Sequence, residues 1–292
     1  MEDSALINIG LPIALFIIMI GMGLTLTPRD FREVLVEPRG TFFGLVAQCV
    51  LLPALAFAIA WGLGLSGAMA VGLVIIAACP GGTTSNIFAF VGGGDVALSV
   101  ILTVLASLIA IVTLPLYISM ALDWFQGQEQ AVELPIKRTL MALLLITVLP
   151  LIIGMLIRRF LPRVAAIGER AVGVLGLIVL VAVVVAIMAH LGERVLILVA
   201  QGGILAALLN IVGLVLGFVG GRAVGLGKAQ AFTVAIELGI KNSTLGLVIT
   251  LTLLHSEEMS VPIAVYGGLM FVFGFAMLGF SRLIGLTRKQ PA

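Results

Sequence analysis

Charge is scarce in this sequence. Asp, Glu, Lys and Arg make up 10% of its 292 residues, against roughly 25% in an ordinary soluble domain. Sixteen basic and fourteen acidic side chains could not coat a water-exposed surface of this size, which excludes a nucleic-acid module or a large soluble catalytic domain. Cysteine is nearly absent too. Cys49 and Cys79 both lie in apolar stretches, so neither a disulfide framework nor a cysteine metal site is expected. The two histidines, His190 and His255, fall at the ends of apolar runs and are expected at the membrane interface rather than beside a nucleophile. The start of the chain carries Glu2 and Asp3 and lacks the basic region of a signal peptide. Polar linkers are missing as well: the longest polar stretch is 123–138, and no second domain is expected within 1–292.

What remains is apolar. The chain is 61% hydrophobic with a mean hydropathy of +1.28. A helical span needs about 20 mostly apolar residues. Candidates lie at 5–27, 39–63, 67–93, 96–122, 136–158, 170–190, 195–222, 229–254 and 261–281. The expected class is therefore an all-α polytopic membrane protein of nine transmembrane helices. With the N-terminus outside, Arg29, Arg32, Arg39, Arg158, Arg159, Arg163, Arg170, Arg222, Lys228, Arg282, Arg288 and Lys289 fall inside. Only Lys137, Arg138 and Arg194 fall outside. That sorting obeys the positive-inside rule and predicts an N-out, C-in protein of the cell's inner (plasma) membrane.

Glu237 and Lys241 alone lie within a span. A charge at the bilayer centre costs about 2.5–3.5 kcal/mol on a lenient scale, which makes such residues functional candidates. They sit in the second of two interrupted segments. The first interruption, Cys79-Pro80-Gly81-Gly82-Thr83-Thr84-Ser85-Asn86, sets a proline, two glycines and four polar side chains into an apolar run. Thr83 to Asn86 are expected to cap a half-helix over 86–93. The second is Glu237-Leu238-Gly239-Ile240-Lys241-Asn242-Ser243. Broken helices at membrane depth, one in each half of a chain, point to a secondary-transporter site. The plainer reading is that the glycines and proline only permit a kink or close packing. Gln48, the lone amide of its span, reads as helix–helix glue or as part of that site. Ser99 and Thr103 share a helical face, and such hydroxyls commonly bond back to their own backbone.

Several of these segments together resemble the bile acid:sodium symporter family: Gly21-Met22-Gly23-Leu24-Thr25-Leu26 with Pro28, Asp30 and Phe31; the run from Cys79 to Asn86; Gly94-Asp95-Val96-Ala97-Leu98-Ser99-Val100; and Glu237-x-Gly239-x-x-Asn242-Ser243. The resemblance implies inverted repeats of four plus five helices, a panel and a core domain, and two unwound helices crossing in the core. It implies a first sodium site from Ser85, Asn86, Ser99, Thr103 and Glu237, whose hydroxyl, amide and carboxylate oxygens suit a hard cation. It places substrate at Thr83, Thr84, Asn242 and Ser243. The expected partners are sodium as coupling ion, a small organic anion and the lipid bilayer, with no cofactor, no nucleic acid and no enzymatic activity.

One position departs from the family pattern. A glutamine of its second sodium site is here Lys241, whose ammonium has three donors and no acceptor. Lys241 is expected to stand in for the second cation, pairing with Glu237 and donating to Gln48, so that a single sodium is coupled to a bile-acid-like or carboxylate anion by alternating access. Proton coupling, or a static pair, are the other readings of this residue. The rivals at the level of function are a proton-coupled organic anion transporter and a cation/proton antiporter using Glu237 and Lys241. The last span is almost wholly apolar, with Tyr266 its main polar group.

Overall fold

The computed structural model describes residues 9–27, 38–65, 67–126, 136–191 and 195–286. Within them the named elements are all helices, and each apolar stretch singled out above is helical apart from its ends and the two breaks, at 79–82 and 240–242. The helices are α1 (Leu11–Thr25), α2 (Pro38–Gly62), α3 (Gly67–Ala78), α4 (Thr83–Val91), α5 (Val96–Phe125) and α6 (Ile136–Phe160). After them come α7 (Pro162–Leu191), α8 (195–223), α9 (Lys228–Gly239), α10 (Ser243–Leu253) and α11 (Glu257–Leu283). Five of these are long and apolar enough to span a bilayer by themselves, while α1, α3 and α10 are shorter apolar helices. Large apolar side chains such as Phe42, Trp61, Ile167 and Ile204 stand exposed on the outside. A surface of that kind belongs in lipid, and the chain is a multi-pass membrane protein.

The packing depends on small residues, since lipid offers no hydrophobic drive for helix association. A Cβ on Gly23 would stand 2.3 Å from the Leu151 carbonyl, and one on Gly154 would stand 2.2 Å from that of Ile20. These two glycines let the backbones of α1 and α6 touch. Together with α7, these helices form one packed group. Residues Ala70–Ala78 of α3 and Ala231–Gly239 of α9 are buried along their whole length. They are the innermost elements, and each ends at a break.

Two expectations change in detail. The half-helix after the first break begins at Thr83, not at 86, and its N-cap is Gly82, with no side-chain cap. Ser85 turns instead toward α5 and α9, leaving Thr83 to Asn86 as the helix's first turn. Of the basic residues used to orient the chain, Arg29, Arg32, Arg194, Arg288 and Lys289 lie outside the described residues, as do the side chains of Arg138 and Arg170; Glu2, Asp3 and the side chain of His190 lie outside them too. His255 is exposed, in a left-handed turn (φ 50°) between α10 and α11.

Candidate functional site

The two breaks cross. Gly81 and Lys241 form an isolated antiparallel bridge, and the Asn242 N–H donates to the Pro80 carbonyl at 2.9 Å. Proline and glycine stop α3, and the freed backbone pairs with the other interrupted strand instead of with water. Beyond the crossing, Asn242 caps α10 by accepting from the Leu245 N–H at 3.0 Å.

Helices α5 and α9 run side by side in matched register. Asp95 caps α5, and the Thr233 hydroxyl of α9 accepts from the Asp95 N–H at 2.8 Å and reaches its carbonyl at 3.1 Å. One helical turn along each chain, Ser99 and Glu237 meet. The i, i+4 spacing that puts Ser99 and Thr103 on one face is thus used, and neither hydroxyl merely bonds back to its own helix.

Glu237 is completely buried. Its Oε1 lies 2.5 Å from Ser85 Oγ and 2.6 Å from Ser99 Oγ, and Oε2 lies 2.8 Å from Thr103 Oγ1. Ser99 Oγ is also 2.8 Å from Asn86 Oδ1, and Ser85 Oγ is 2.7 Å from the Gly82 carbonyl. The first set of five predicted residues therefore forms one cluster. Its proton count is short: three hydroxyl protons face five close oxygen–oxygen contacts. The contacts left without a proton could be met by a proton on the carboxylate or by a hard, oxygen-seeking monovalent cation, whose ligands are lone pairs of this kind. Gly81 closes the cluster from the bridge, where a Cβ would stand 2.2 Å from Glu237 Oε2.

Gln48 sits behind this cluster. With its amide oriented to satisfy both neighbours, it donates to the Glu237 main-chain carbonyl (3.1 Å) and accepts from the Gly81 N–H (3.2 Å). It therefore ties the broken strand to the acidic helix. The contacts expected of Lys241 are not made. Its ammonium is buried and has no hydrogen-bond partner, so it neither pairs closely with Glu237 nor donates to Gln48. The reason is backbone geometry. Helix α9 ends at Gly239, Ile240 is extended (φ −111°, ψ 98°), and the i, i+4 relation that would bring the two side chains together is lost.

Thr83, Thr84, Asn242 and Ser243 line one cavity where the two breaks cross, and Asn242 Nδ2 is buried there without a partner. The cavity measures about 30 Å³, room for about two waters rather than for an organic molecule. Thr83 also borders a neighbouring cavity of about 320 Å³ that reaches Asn86, α1, α6 and α7. Of the four residues, Thr83 is the one that lines both cavities.

Two buried residues have roles that the sequence did not assign. Asn210 Nδ2 and the Tyr266 hydroxyl both donate to the Gly239 carbonyl, at 2.8 and 2.9 Å, holding the last turn of α9 where it breaks. Tyr266 is fully buried and serves the backbone rather than a ligand. Tyr266→Phe leaves the Asn210 bond in place. It should lower stability by about 1 kcal/mol and weaken cation-dependent stabilisation only a few-fold. Thermal unfolding with and without sodium checks this; an unchanged midpoint would remove Tyr266 from the account.

Known proteins resemble this chain over most of its length. The model of the sodium bile acid symporter family matches residues 12–198. An uncharacterized sodium-dependent transporter, YocS of Bacillus subtilis, is 34% identical over 267 residues, 87% of this chain and 77% of that protein. The probable sodium/metabolite cotransporter BASS2 of rice chloroplasts is 32% identical over 281 residues, 95% of this chain and 65% of that one. The probable sodium/metabolite cotransporter BASS1 of Arabidopsis chloroplasts is 29% identical over 289 residues, 92% of this chain and 66% of that one. The chain spans about two thirds of the length of these plant relatives. Human sodium/bile acid cotransporter 4 is 36% identical over 110 residues, 38% of this chain and 25% of that one. These relatives are transporters and not enzymes, and the chain belongs to the sodium bile acid symporter family.

Proposed function

We propose that this protein is a secondary active transporter that moves a small organic anion together with one sodium ion by alternating access. The observation that carries this reading is the proton-poor oxygen cluster around Glu237, to which Ser85, Asn86, Ser99 and Thr103 contribute. Sodium completes the cluster and neutralises its single carboxylate. An ion there also stiffens the crossing through Gly81 and α4, which shapes the adjoining cavity lined by Thr83, Thr84, Asn242 and Ser243. Substrate and sodium are coupled in this way through the same few residues. We place nine helices across the membrane with the N-terminus outside, in accord with the sorting of basic residues. The group α1, α6 and α7 acts as the panel, and the remaining helices act as the core.

Lys241 provides the fixed positive charge of a second cation site. A buried ammonium excludes a second sodium by repulsion, so one sodium moves with one monoanion and no net charge crosses. With Lys241→Gln, an acceptor oxygen replaces the ammonium and two sodium ions are coupled. The sodium dependence of uptake should steepen from a Hill coefficient of about 1 toward about 2. A slope unchanged in the variant would contradict the surrogate role.

The test is uptake of labelled monocarboxylates into proteoliposomes under an inward sodium gradient, with a potassium gradient as control. The prediction is accumulation only with sodium, insensitive to membrane potential. The same proton deficit would be met by a proton on Glu237, which is the observation that favours proton coupling. Accumulation driven by a pH gradient in sodium-free buffer would select that reading instead.

A further inference from the structure

Arg158 and Arg159 end the same helix, and the positive-inside rule treats them alike. The structure does not. Arg159 is exposed, its guanidinium 5.6 Å from the centre of the Phe160 ring. Arg158 is half-buried and turns inward across α1, donating from Nη1 to the Leu24 carbonyl at 3.2 Å. Leu24 lies in the last turn of α1, where unpaired carbonyls and the helix dipole favour a cation. The guanidinium is therefore held at a defined place rather than trailing into water.

That place is the wall of the 320 Å³ cavity. Arg158 is the one charged side chain among the residues that line it. Thr83 and Asn86 stand at the crossing, Thr25 lies on α1, and Phe90 and Val172 are among the apolar walls. The volume is at the low end of the range for small-molecule sites, roughly 300–1,000 Å³. Basic, hydroxyl and apolar surfaces together describe the complement of an amphipathic anion with a compact body.

We propose that Arg158 is a specificity-determining residue that receives the charged group of the substrate in this cavity, and that it selects small monoanions carrying a planar carboxylate on an apolar body. The inference rests on the transport reading above and deepens it. A guanidinium presents a rigid fork that matches a carboxylate in a bidentate way, which an ammonium does not reproduce. The anion then lies with its carboxylate toward Arg158 and its other end toward Thr83, a route from the crossing to the side on which the basic residues gather.

The test uses acid–amide pairs of equal shape: pentanoate with pentanamide, and benzoate with benzamide. Each is titrated against the purified full-length protein in saturating sodium, with the thermal midpoint as readout. The wild type should be stabilised by the acids and not by the amides. Arg158→Gln should weaken acid binding about tenfold or more, and Arg158→Lys should recover only part of it. Stabilisation by sodium alone should be the same in all three proteins, because Arg158 is no part of the Glu237 cluster. Acids and amides alike in the wild type, or an acid preference undiminished in Arg158→Gln, overturns the inference while leaving the transport reading intact. Loss of the sodium response in the wild type is the different failure, that of the transport reading itself.

Discussion

Glu237→Gln is expected to abolish sodium-dependent uptake while leaving the protein folded. Glutamine keeps the shape of the side chain and its acceptor oxygen but removes the one negative charge of the cluster. Sodium then meets only neutral ligand side chains, with no negative charge to offset the loss of its hydration shell. Removing one partner of a buried charge pair typically costs about 3–5 kcal/mol, more than a hundredfold in sodium affinity. In sodium-free buffer the sign reverses. There the wild type carries an uncompensated buried carboxylate, and the neutral variant should be as stable or more stable. Thermal unfolding with and without sodium reads both effects: a flat response in Glu237→Gln, and a sodium-free midpoint no lower than that of the wild type. A variant that still responds to sodium as the wild type does would place the ion elsewhere.

Gly81→Ala should have an effect of similar size on sodium for a different reason. The new methyl would stand 2.2 Å from Glu237 Oε2 and 3.2 Å from Thr103 Oγ1. Three hydroxyls pin the carboxylate and cannot follow it. The backbone is no freer, because Gly81 pairs with Lys241 and its N–H is held by Gln48. Overpacking of this kind costs about 1–3 kcal/mol. The sodium-free midpoint should therefore fall, which Glu237→Gln should not cause, and sodium stabilisation should be lost with it. If Gly81→Ala kept the wild-type sodium response, the contact between the crossing strand and the carboxylate would not matter to the ion.

Much of this architecture was legible in the sequence because apolar runs and breaks are local signals. Proline and paired glycines at 80–82 marked the first break, and two charges inside one span marked the second. The grouping of Ser85, Asn86, Ser99 and Thr103 around Glu237 came only with the family resemblance. They come from three segments far apart in the chain, and no spacing rule joins one segment to another. Where a local rule was extended across a break it failed. The i, i+4 spacing of Glu237 and Lys241 is helical arithmetic, and Ile240 is not helical. The roles of Asn210, Thr233 and Tyr266 were hidden for a related reason. Each has as its partner a main-chain atom of a distant segment, which no local pattern reveals. Arg158 was counted only as one of many basic residues at a span end, since charge counting says nothing of the direction in which a long side chain turns.

Sodium binding by the oxygen cluster around Glu237 is read by titrating the purified wild-type protein with sodium chloride. Choline chloride is used to hold ionic strength constant, and the thermal midpoint is followed. A single binding site predicts stabilisation that grows with the logarithm of sodium concentration above its dissociation constant, with potassium far weaker and the response absent in Glu237→Gln. A midpoint that moves no more with sodium than with choline would contradict sodium binding at the cluster.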